Sequence, residues 1–434
     1  MKKSRYTEIA YNPKGQNWLL YNFYTDEFLF LNDEEKDCFD AFPNKELSEQ
    51  LSDRLAKGGF LTDTDELEAL RQLTQKNIRE PEEKFLKLVI CPTMDCNFDC
   101  VYCIENGQKC EGKMSESVQR NVVKFVEQML DEIKTDRLIV TWYGGEPLLA
   151  MDAIEELSRQ FKAVCAARNV RYRAAVVTNG YFLDAHAMLK LDRCGIRYYR
   201  VTIDGPAYAH DKWRMRKDGA PTYSRIMENL KGILTDNTIE IRCNVSRSNR
   251  DSVNELVAEI DALRERTGNK ILLTFAKMLV SRNVPKSLKS DMLTEAEFAD
   301  FVLNGKENFH RENHHRSGVP CAGCRRYDYC IDSSGDIYKC NAFLTQKEHR
   351  LANVSELPTE ETLFRHSESL SLRQKAFPEY QECLECKLLP WCYGSCPLDD
   401  GITSKKRCNR YRLHLKEMLL KLADACEQGG SNNE

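Results

Sequence analysis

Apolar and polar residues follow two different registers along this chain, and the changes between them mark out its parts. Six short apolar runs, at residues 85–91, 138–143, 174–178, 198–203, 239–245 and 271–277, are separated by stretches whose apolar positions recur every three or four residues. Val118, Val122, Phe125, Val126, Met129 and Ile133 form one such stripe, the pattern of a helix with a single buried face. Strand-like runs alternating with helical stripes predict parallel βα units. Six units suit an open, partial (βα)6 TIM-like barrel better than the closed eight-unit form, and place functional groups on the loops after strands.

The flanking regions read differently. Residues 18–24 and 28–31 are short apolar or aromatic runs around Thr25-Asp26, a predicted hairpin, and helical patterns follow at 33–42 and 45–57. Strands followed by helices predict a small winged-helix-like α+β domain. Residues 71–84 are polar, contain Pro81, and read as a linker. Beyond about 320 periodicity fades, apart from a final helix at 410–427, and nine cysteines fall between Cys321 and Cys408. Such a region can be held by metal ligands rather than by a large core. The expected α/β organisation is therefore three domains: 1–80, 85–310 and a Cys-rich 315–434.

Bulk composition narrows the class. Of 434 residues, 42% are hydrophobic and 30% charged, with a net charge of −4, which suits a globular protein of two or three domains. Basic residues are dispersed among acidic ones, so no nucleic-acid footprint is expected. No apolar run is long enough for a membrane span or a signal peptide, which predicts a cytoplasmic protein with no membrane partner. In that compartment thiols stay reduced. Nineteen cysteines, clustered as they are, then point to metal ligation.

Cys96, Cys100 and Cys103 have the spacing CxxxCxxC directly after the first barrel run. Three thiolates from one loop leave the fourth iron of a 4Fe–4S cluster open. A zinc site completed by Cys91 or Cys110 is the alternative on spacing alone. Further motifs follow in order: Tyr102 before the last cysteine, Gly144-Gly145-Glu146-Pro147 after the second run, Val177-Thr178-Asn179-Gly180 after the third, Thr202-Ile203-Asp204-Gly205 ending the fourth, and Arg242-Cys243-Asn244-Val245 in the fifth. Across residues 85–280 this resembles the radical SAM superfamily. The resemblance implies that Cys96, Cys100 and Cys103 hold the catalytic cluster, and that Tyr102, Gly144, Gly145, Glu146, Pro147, Asn179, Thr202, Asp204 and Asn244 bind S-adenosylmethionine (SAM). Glu146 and nearby carbonyls would accept hydrogen bonds from the methionine ammonium, and Tyr102 would pack near the adenine. His210-Asp211-x2-Arg214 is also common in one group of these enzymes, although a solvated helix start reads the same way.

The distal cysteines, Cys383-x2-Cys386-x5-Cys392-x3-Cys396 and then Cys408, preceded by Gly335-x4-Cys340 and by Cys321, Cys324 and Cys330, resemble the SPASM domain. A zinc ribbon from Cys321-x2-Cys324 and Cys383-x2-Cys386 would leave five cysteines unexplained. The resemblance implies two auxiliary 4Fe–4S clusters, three in all. Cys383, Cys386, Cys392 and Cys408 would hold one; Cys340 and Cys396 would hold the other with two of Cys321, Cys324 and Cys330. In sulfatase-maturing relatives an aspartate acting as base follows the cysteine that matches Cys340; here it is Asn341, which cannot take a proton.

The N-terminal domain is similar to the peptide-recognition domain found ahead of enzymes that modify ribosomally made (RiPP) peptides, which binds a leader by strand addition. The expected function is a radical SAM/SPASM peptide maturase, an oxidoreductase that cleaves SAM to a 5′-deoxyadenosyl radical and installs a thioether or other cross-link. Its expected partners are a leader-bearing precursor peptide and an electron donor such as flavodoxin or ferredoxin. The alternatives are a maturase of a protein side chain, of sulfatase or quinone-cofactor type, and a non-catalytic iron–sulfur or zinc scaffold, which would have no use for an intact GGEP motif.

Overall fold

The described residues, 1–103, 112–278, 286–304, 322–369, 381–394 and 414–421 of a computed structural model, divide into two compact units. One comprises Met1–Pro81, Glu295–Cys324 and Gln374–Glu434; the other comprises Glu82–Thr294 and Arg325–Arg373.

The first unit begins with β1 (Lys2–Lys3), β2 (Thr7–Asn12), β3 (Asn17–Asn22) and β4 (Glu27–Leu31). Strands β2, β3 and β4 form an antiparallel sheet with β3 in the middle. The hairpin turn lies where Thr25-Asp26 predicts it, with Asp26 at φ 64°, a left-handed conformation that aspartate tolerates. Helix α1 (Asp33–Ala41) starts with a capping box between Asn32 and Glu35. Helix α2 (Glu49–Lys57), capped by Ser48, turns Leu51 and Leu55 into a core with Leu20, Leu31, Phe39 and Phe60. A short β5 (Leu61–Thr62) pairs with β1.

Helix α3 (Glu66–Arg79) corrects the expected linker at 71–84. Asp65 caps it, and Leu70, Thr74 and Ile78 are buried at i+4 spacing. The buried stripe is narrow and includes a threonine, so the polar face dominates the local composition and hides the period. In the same unit the cysteine segment 381–394 packs against the N-terminal sheet. The Trp391 ring meets Tyr21 and Phe23 edge-on at 5.7 and 5.0 Å. Lys387 pairs with Glu8 at 3.0 Å, and Arg5 donates to the Leu384 carbonyl at 2.8 Å. Of the final helix expected at 410–427, residues 415–421 are described and helical.

The second unit is the partial barrel. Its six strands fall on the six apolar runs: β6 (Leu86–Ile90), β7 (Arg137–Trp142), β8 (Arg171–Thr178), β9 (Ile196–Thr202), β10 (Thr238–Val245) and β11 (Ile271–Lys277). All are parallel and paired in sequence order. Helices α4 (Glu116–Ile133), α5 (Met151–Ala167), α6 (Ala185–Arg193), α7 (Ala207–Trp213), α8 (Tyr223–Gly232) and α9 (Val253–Thr267) lie between them in sequence. On α4 the predicted stripe is the buried one: Val122, Phe125, Val126, Met129 and Ile133 are inaccessible or nearly so. Each such side chain stabilises the fold by about 1.5–3 kcal/mol.

The sheet continues past β6. Strand β12 (Asp328–Ile331) runs parallel to it, and β13 (Asp336–Tyr338) and β14 (Ala352–Asn353) follow antiparallel, giving nine strands in all. Part of the Cys-rich region, which could be held by ligands rather than by a large core, is thus built into the barrel's own sheet, with Ile331, Ile337 and Val354 fully buried.

Candidate functional site

Strand β6 leads straight into the first cysteine loop. Leu86, Leu88 and Ile90 are fully buried, and the Cys91 amide donates to the Ile331 carbonyl at 2.9 Å. The loop then runs past Cys96, Cys100 and Cys103, all partly accessible. Its far side is fastened by the segment that follows α7. Asp99 N–H donates to Met215 O at 2.9 Å, Val101 N–H to Trp213 O at 3.1 Å, and Lys217 N–H to Asn97 O at 3.1 Å. These bonds make residues 213–217 a strap along the loop, which the sequence does not reveal because neither partner is a regular strand.

The loop brings the three thiols within electrostatic reach of one another. Burial pushes Cys96 up to about 12, against the help of the Phe98 amide, which donates to its sulfur at 3.4 Å. Burial raises Cys100 as well, with the Arg214 guanidinium opposing. Without a cation these groups stay protonated at neutral pH, so a metal bound here would displace their protons. Among the described residues no three His, Cys, Asp or Glu side chains converge on a single ion. Cys91, one candidate fourth zinc ligand, is fully buried in an apolar cluster with Met94, Cys330, Tyr338 and Leu344; Cys110, the other, lies outside the described residues.

The donor chemistry around the loop fits an acceptor-rich, anionic group. Asn97 Nδ2 and Arg214 Nε are buried N–H donors with no acceptor among the described residues. Buried donors are ordinarily satisfied, and two such orphans at a three-thiol loop are complementary to the sulfurs of an iron–sulfur cluster and the carboxylate of SAM.

Gly144 and Gly145 serve the loop. A Cβ on Gly144, whose φ is +114°, would stand 2.3 Å from the Thr93 carbonyl oxygen, and one on Gly145 would stand 2.3 Å from that of Asp95. Glu146 N–H donates to Asp95 O at 2.8 Å, and Pro147 opens a short 3-10 turn. The glycines therefore admit the backbone of the cysteine loop, where the sequence suggests contact with the cofactor. Glu146 is completely enclosed. Its carboxylate accepts from Leu148 N at 3.1 Å, Thr178 Oγ1 at 2.7 Å and Asn179 N at 2.7 Å. It ties the end of β7 to the end of β8. Burial raises its titration, and those three bonds oppose the rise. Asn179 Nδ2 donates to Asn97 Oδ1 at 2.8 Å and lies 3.9 Å from Cys96 Sγ.

The fourth and fifth motifs meet in one buried network. The Tyr102 hydroxyl donates to Asp204 Oδ2 and accepts from Arg214 Nη1 at 2.7 Å and Asn244 Nδ2 at 3.3 Å. Asp204 Oδ1 accepts from the Asn244 amide at 2.8 Å and from its side chain at 3.1 Å. Burial raises both Tyr102 and Asp204, with Arg214 opposing. The His210-Asp211-x2-Arg214 segment is not a solvated helix start, since His210 and Arg214 are buried. His210 Nδ1 accepts from the Asp204 amide at 3.2 Å and Nε2 meets Thr222 Oγ1 at 3.1 Å. Asp211 accepts from Thr222 N at 2.7 Å and Tyr223 N at 2.9 Å, capping α8.

Below this network lies a polar patch that the sequence hides. On β10, Ile239, Ile241 and Cys243 are fully buried, while Glu240, Arg242 and Asn244 occupy the other face. Glu240 accepts from Tyr198, from Arg200 Nε at 2.6 Å and from Thr274 Oγ1 at 2.7 Å. Arg242, paired in register with Thr202 and Thr274, donates to Asn244 Oδ1 at 3.4 Å. One carboxylate and two guanidiniums thus lie together on this face. Polar residues at every second position of otherwise apolar runs were the available signal.

Of the distal cysteines, Cys324, Cys330, Cys340, Cys383, Cys386 and Cys392 are described; Cys321, Cys396 and Cys408 lie outside the described residues. In the barrel unit, Cys330 sits on β12, and Cys340 is near enough to add to the upward push of burial on its thiol. Asn341 Oδ1 lies 3.7 Å from Cys340 Sγ. In the other unit, Cys386 N–H donates to Cys383 O at 3.1 Å and Cys392 N–H to Leu388 O at 3.0 Å, which folds that segment into successive tight turns.

Comparison with known proteins agrees with this geometry. Residues 90–241 match the family model for the Radical SAM superfamily. The chain is 24% identical over 270 residues to Fe-coproporphyrin III synthase of Methanosarcina barkeri, covering 61% of this chain and 60% of that protein. It is 19% identical over 417 residues to the radical SAM cyclopropyl synthase TigE of Paramaledivibacter caminithermalis, covering 88% and 84%. It is 23% identical over 350 residues to the serine-type anaerobic sulfatase-maturating enzyme of Bacteroides thetaiotaomicron, covering 70% and 80%. The fold superposes on native anSMEcpe with bound AdoMet and a Cp18Cys peptide with a TM-score of 0.62 at 20% identity, covering 81% of this chain and all of that one.

Proposed function

The chain carries a radical SAM domain, and from that premise we propose that it is a SPASM-type maturase that modifies a ribosomally made precursor peptide by forming a thioether or other cross-link. The observation that carries the reading is the three-thiol loop held between the Gly144-Gly145 turn and the 213–217 strap, with two buried N–H donors left over beside it. When bound, the cluster and SAM supply a one-electron cleavage of the sulfonium and a radical that abstracts hydrogen from the substrate. The protein's own residues hold and enclose that chemistry. Cys96, Cys100 and Cys103 would ligate the cluster. Gly144 and Gly145 let the loop close on β7, Glu146 and Asn179 tie the loop to β8, and Asp204 and Asn244 lock Tyr102.

The distal cysteines would hold two auxiliary clusters, in the sets implied by their resemblance to the SPASM domain, and a flavodoxin or ferredoxin would deliver electrons. A peptide substrate is supported by the fold shared with a peptide-bound neighbour and by the small N-terminal sheet, whose edge strands offer a site for strand addition. Sulfatase maturation is the second reading, favoured by the Bacteroides relative. Against it, Asn341 beside Cys340 supplies no base. Co-expression with a leader-bearing precursor peptide from a neighbouring reading frame, followed by mass spectrometry, tests the proposal. A loss of two hydrogens that maps to a cross-link is expected. An unmodified peptide together with formylglycine in a co-expressed sulfatase would replace this reading with the second.

A further inference from the structure

Arg214 is a buried charged side chain beside the cysteine loop. It is 8% exposed, and its guanidinium carbon lies 5.8 Å from the centre of the Phe98 ring and 5.9 Å from that of Tyr102, the aromatic residues on either side of Cys100. The flanking strap residues Trp213 and Met215 are bonded to the loop backbone at Val101 and Asp99, and the Arg214 carbonyl is held by Thr222 Oγ1 at 2.6 Å. Its backbone and side chain are therefore fixed against the loop. Of the charged side chains acting on Cys100, Arg214 acts most strongly.

The position of its hydrogen-bond donors is unusual. Nη1 donates to Tyr102, while Nε is buried and has no acceptor among the described residues. The oxygens nearby are engaged: Tyr102 donates to Asp204, and Asp204 also accepts from Asn244. A charged N–H kept dry beside a thiol loop, with no acceptor among the described residues, is complementary to an anionic group bound there.

We propose that Arg214 Nε–H donates to a sulfur of the cluster held by Cys96, Cys100 and Cys103, and that Arg214 is thereby a positioning residue that raises the reduction potential of that cluster. The proposal rests on reading the loop as a cluster site. Hydrogen bonds to cluster sulfurs and nearby positive charge both favour the reduced, more negative state.

The test is a redox titration of the reconstituted full-length protein, followed by electron paramagnetic resonance on the signal that changes when SAM is added, which marks the loop cluster. Arg214→Met, matched to wild type in iron content, is expected to show a reduced-to-oxidised ratio about tenfold lower at a fixed potential, equal to about 59 mV for a one-electron couple. Arg214→Lys keeps the charge but loses the Nε–H, and is expected to fall about threefold. An unchanged ratio in the Met variant overturns the proposal. If the Met variant does not assemble its cluster, a Lys variant that titrates like wild type overturns it equally. A wild-type protein with no SAM-responsive cluster signal overturns the underlying reading, and this inference with it.

Discussion

His210 shows how a single side chain carries the geometry around Asp204. It is fully buried and accepts from a backbone amide through Nδ1, so it must be neutral, and burial together with Arg214 holds its titration well below the ordinary histidine range. The unfolded imidazole takes a proton near pH 6.5. Below that pH the unfolded state binds more protons than the folded one, and stability falls as pH falls, by about 1.4 kcal/mol per pH unit from this group alone. His210→Gln removes the titration while keeping an acceptor and a donor on the side chain. Urea unfolding at pH 6.5 and 5.5 should therefore show a smaller acid loss in the variant than in wild type. Equal losses would mean that His210 is not buried neutral. At this scale the sequence was partly readable. The cysteines stood out by spacing and Gly144, Gly145 and Asp204 by the family motifs. Those motifs also include Arg214 and Arg242 but do not reveal their burial, and Glu240 lies in none of them, because burial depends on partners far away in the chain.

Elements decide how close the parts of the site approach. The Gly144-Gly145 turn works because the β7 loop lies against the carbonyls of residues 93–95, and Gly144→Ala places a methyl 2.3 Å from one of them at φ +114°. Steric conflict with backbone and an unfavourable dihedral together should cost at least about 3 kcal/mol. Denaturant unfolding measures this, and a cost below about 1 kcal/mol would show that the close approach is dispensable. The six barrel strands were legible because the buried face of each is lined by apolar side chains, such as Leu86, Leu88 and Ile90 on β6, between helical stripes. Helix α3 was not, because its buried stripe is narrow and includes the polar residues Glu66, Thr74 and Asn77. Strand β12 was missed for another reason: four residues between turns carry too little pattern, and the pairing with β6 that defines it spans more than 200 residues of sequence.

On the scale of the whole molecule, the N-terminal sheet and the cysteine segment 381–394 belong to one compact unit and the three-thiol loop to the other. Deleting residues 1–75 removes Tyr21, Phe23, Glu8 and Arg5, which hold Trp391, Lys387 and Leu384. SAM cleavage is expected to persist, turnover of a leader-bearing peptide to drop, and the 381–394 segment to become protease-sensitive. A truncated enzyme that modifies the peptide as well as the full chain would contradict this division of labour. The proposed activity depends on the loop performing radical chemistry, which is tested most directly by measuring 5′-deoxyadenosine formed from SAM under reducing, oxygen-free conditions. The reconstituted wild type should form it and Cys100→Ala should form none above background, while other clusters remain loaded. Undiminished 5′-deoxyadenosine from Cys100→Ala would contradict the account.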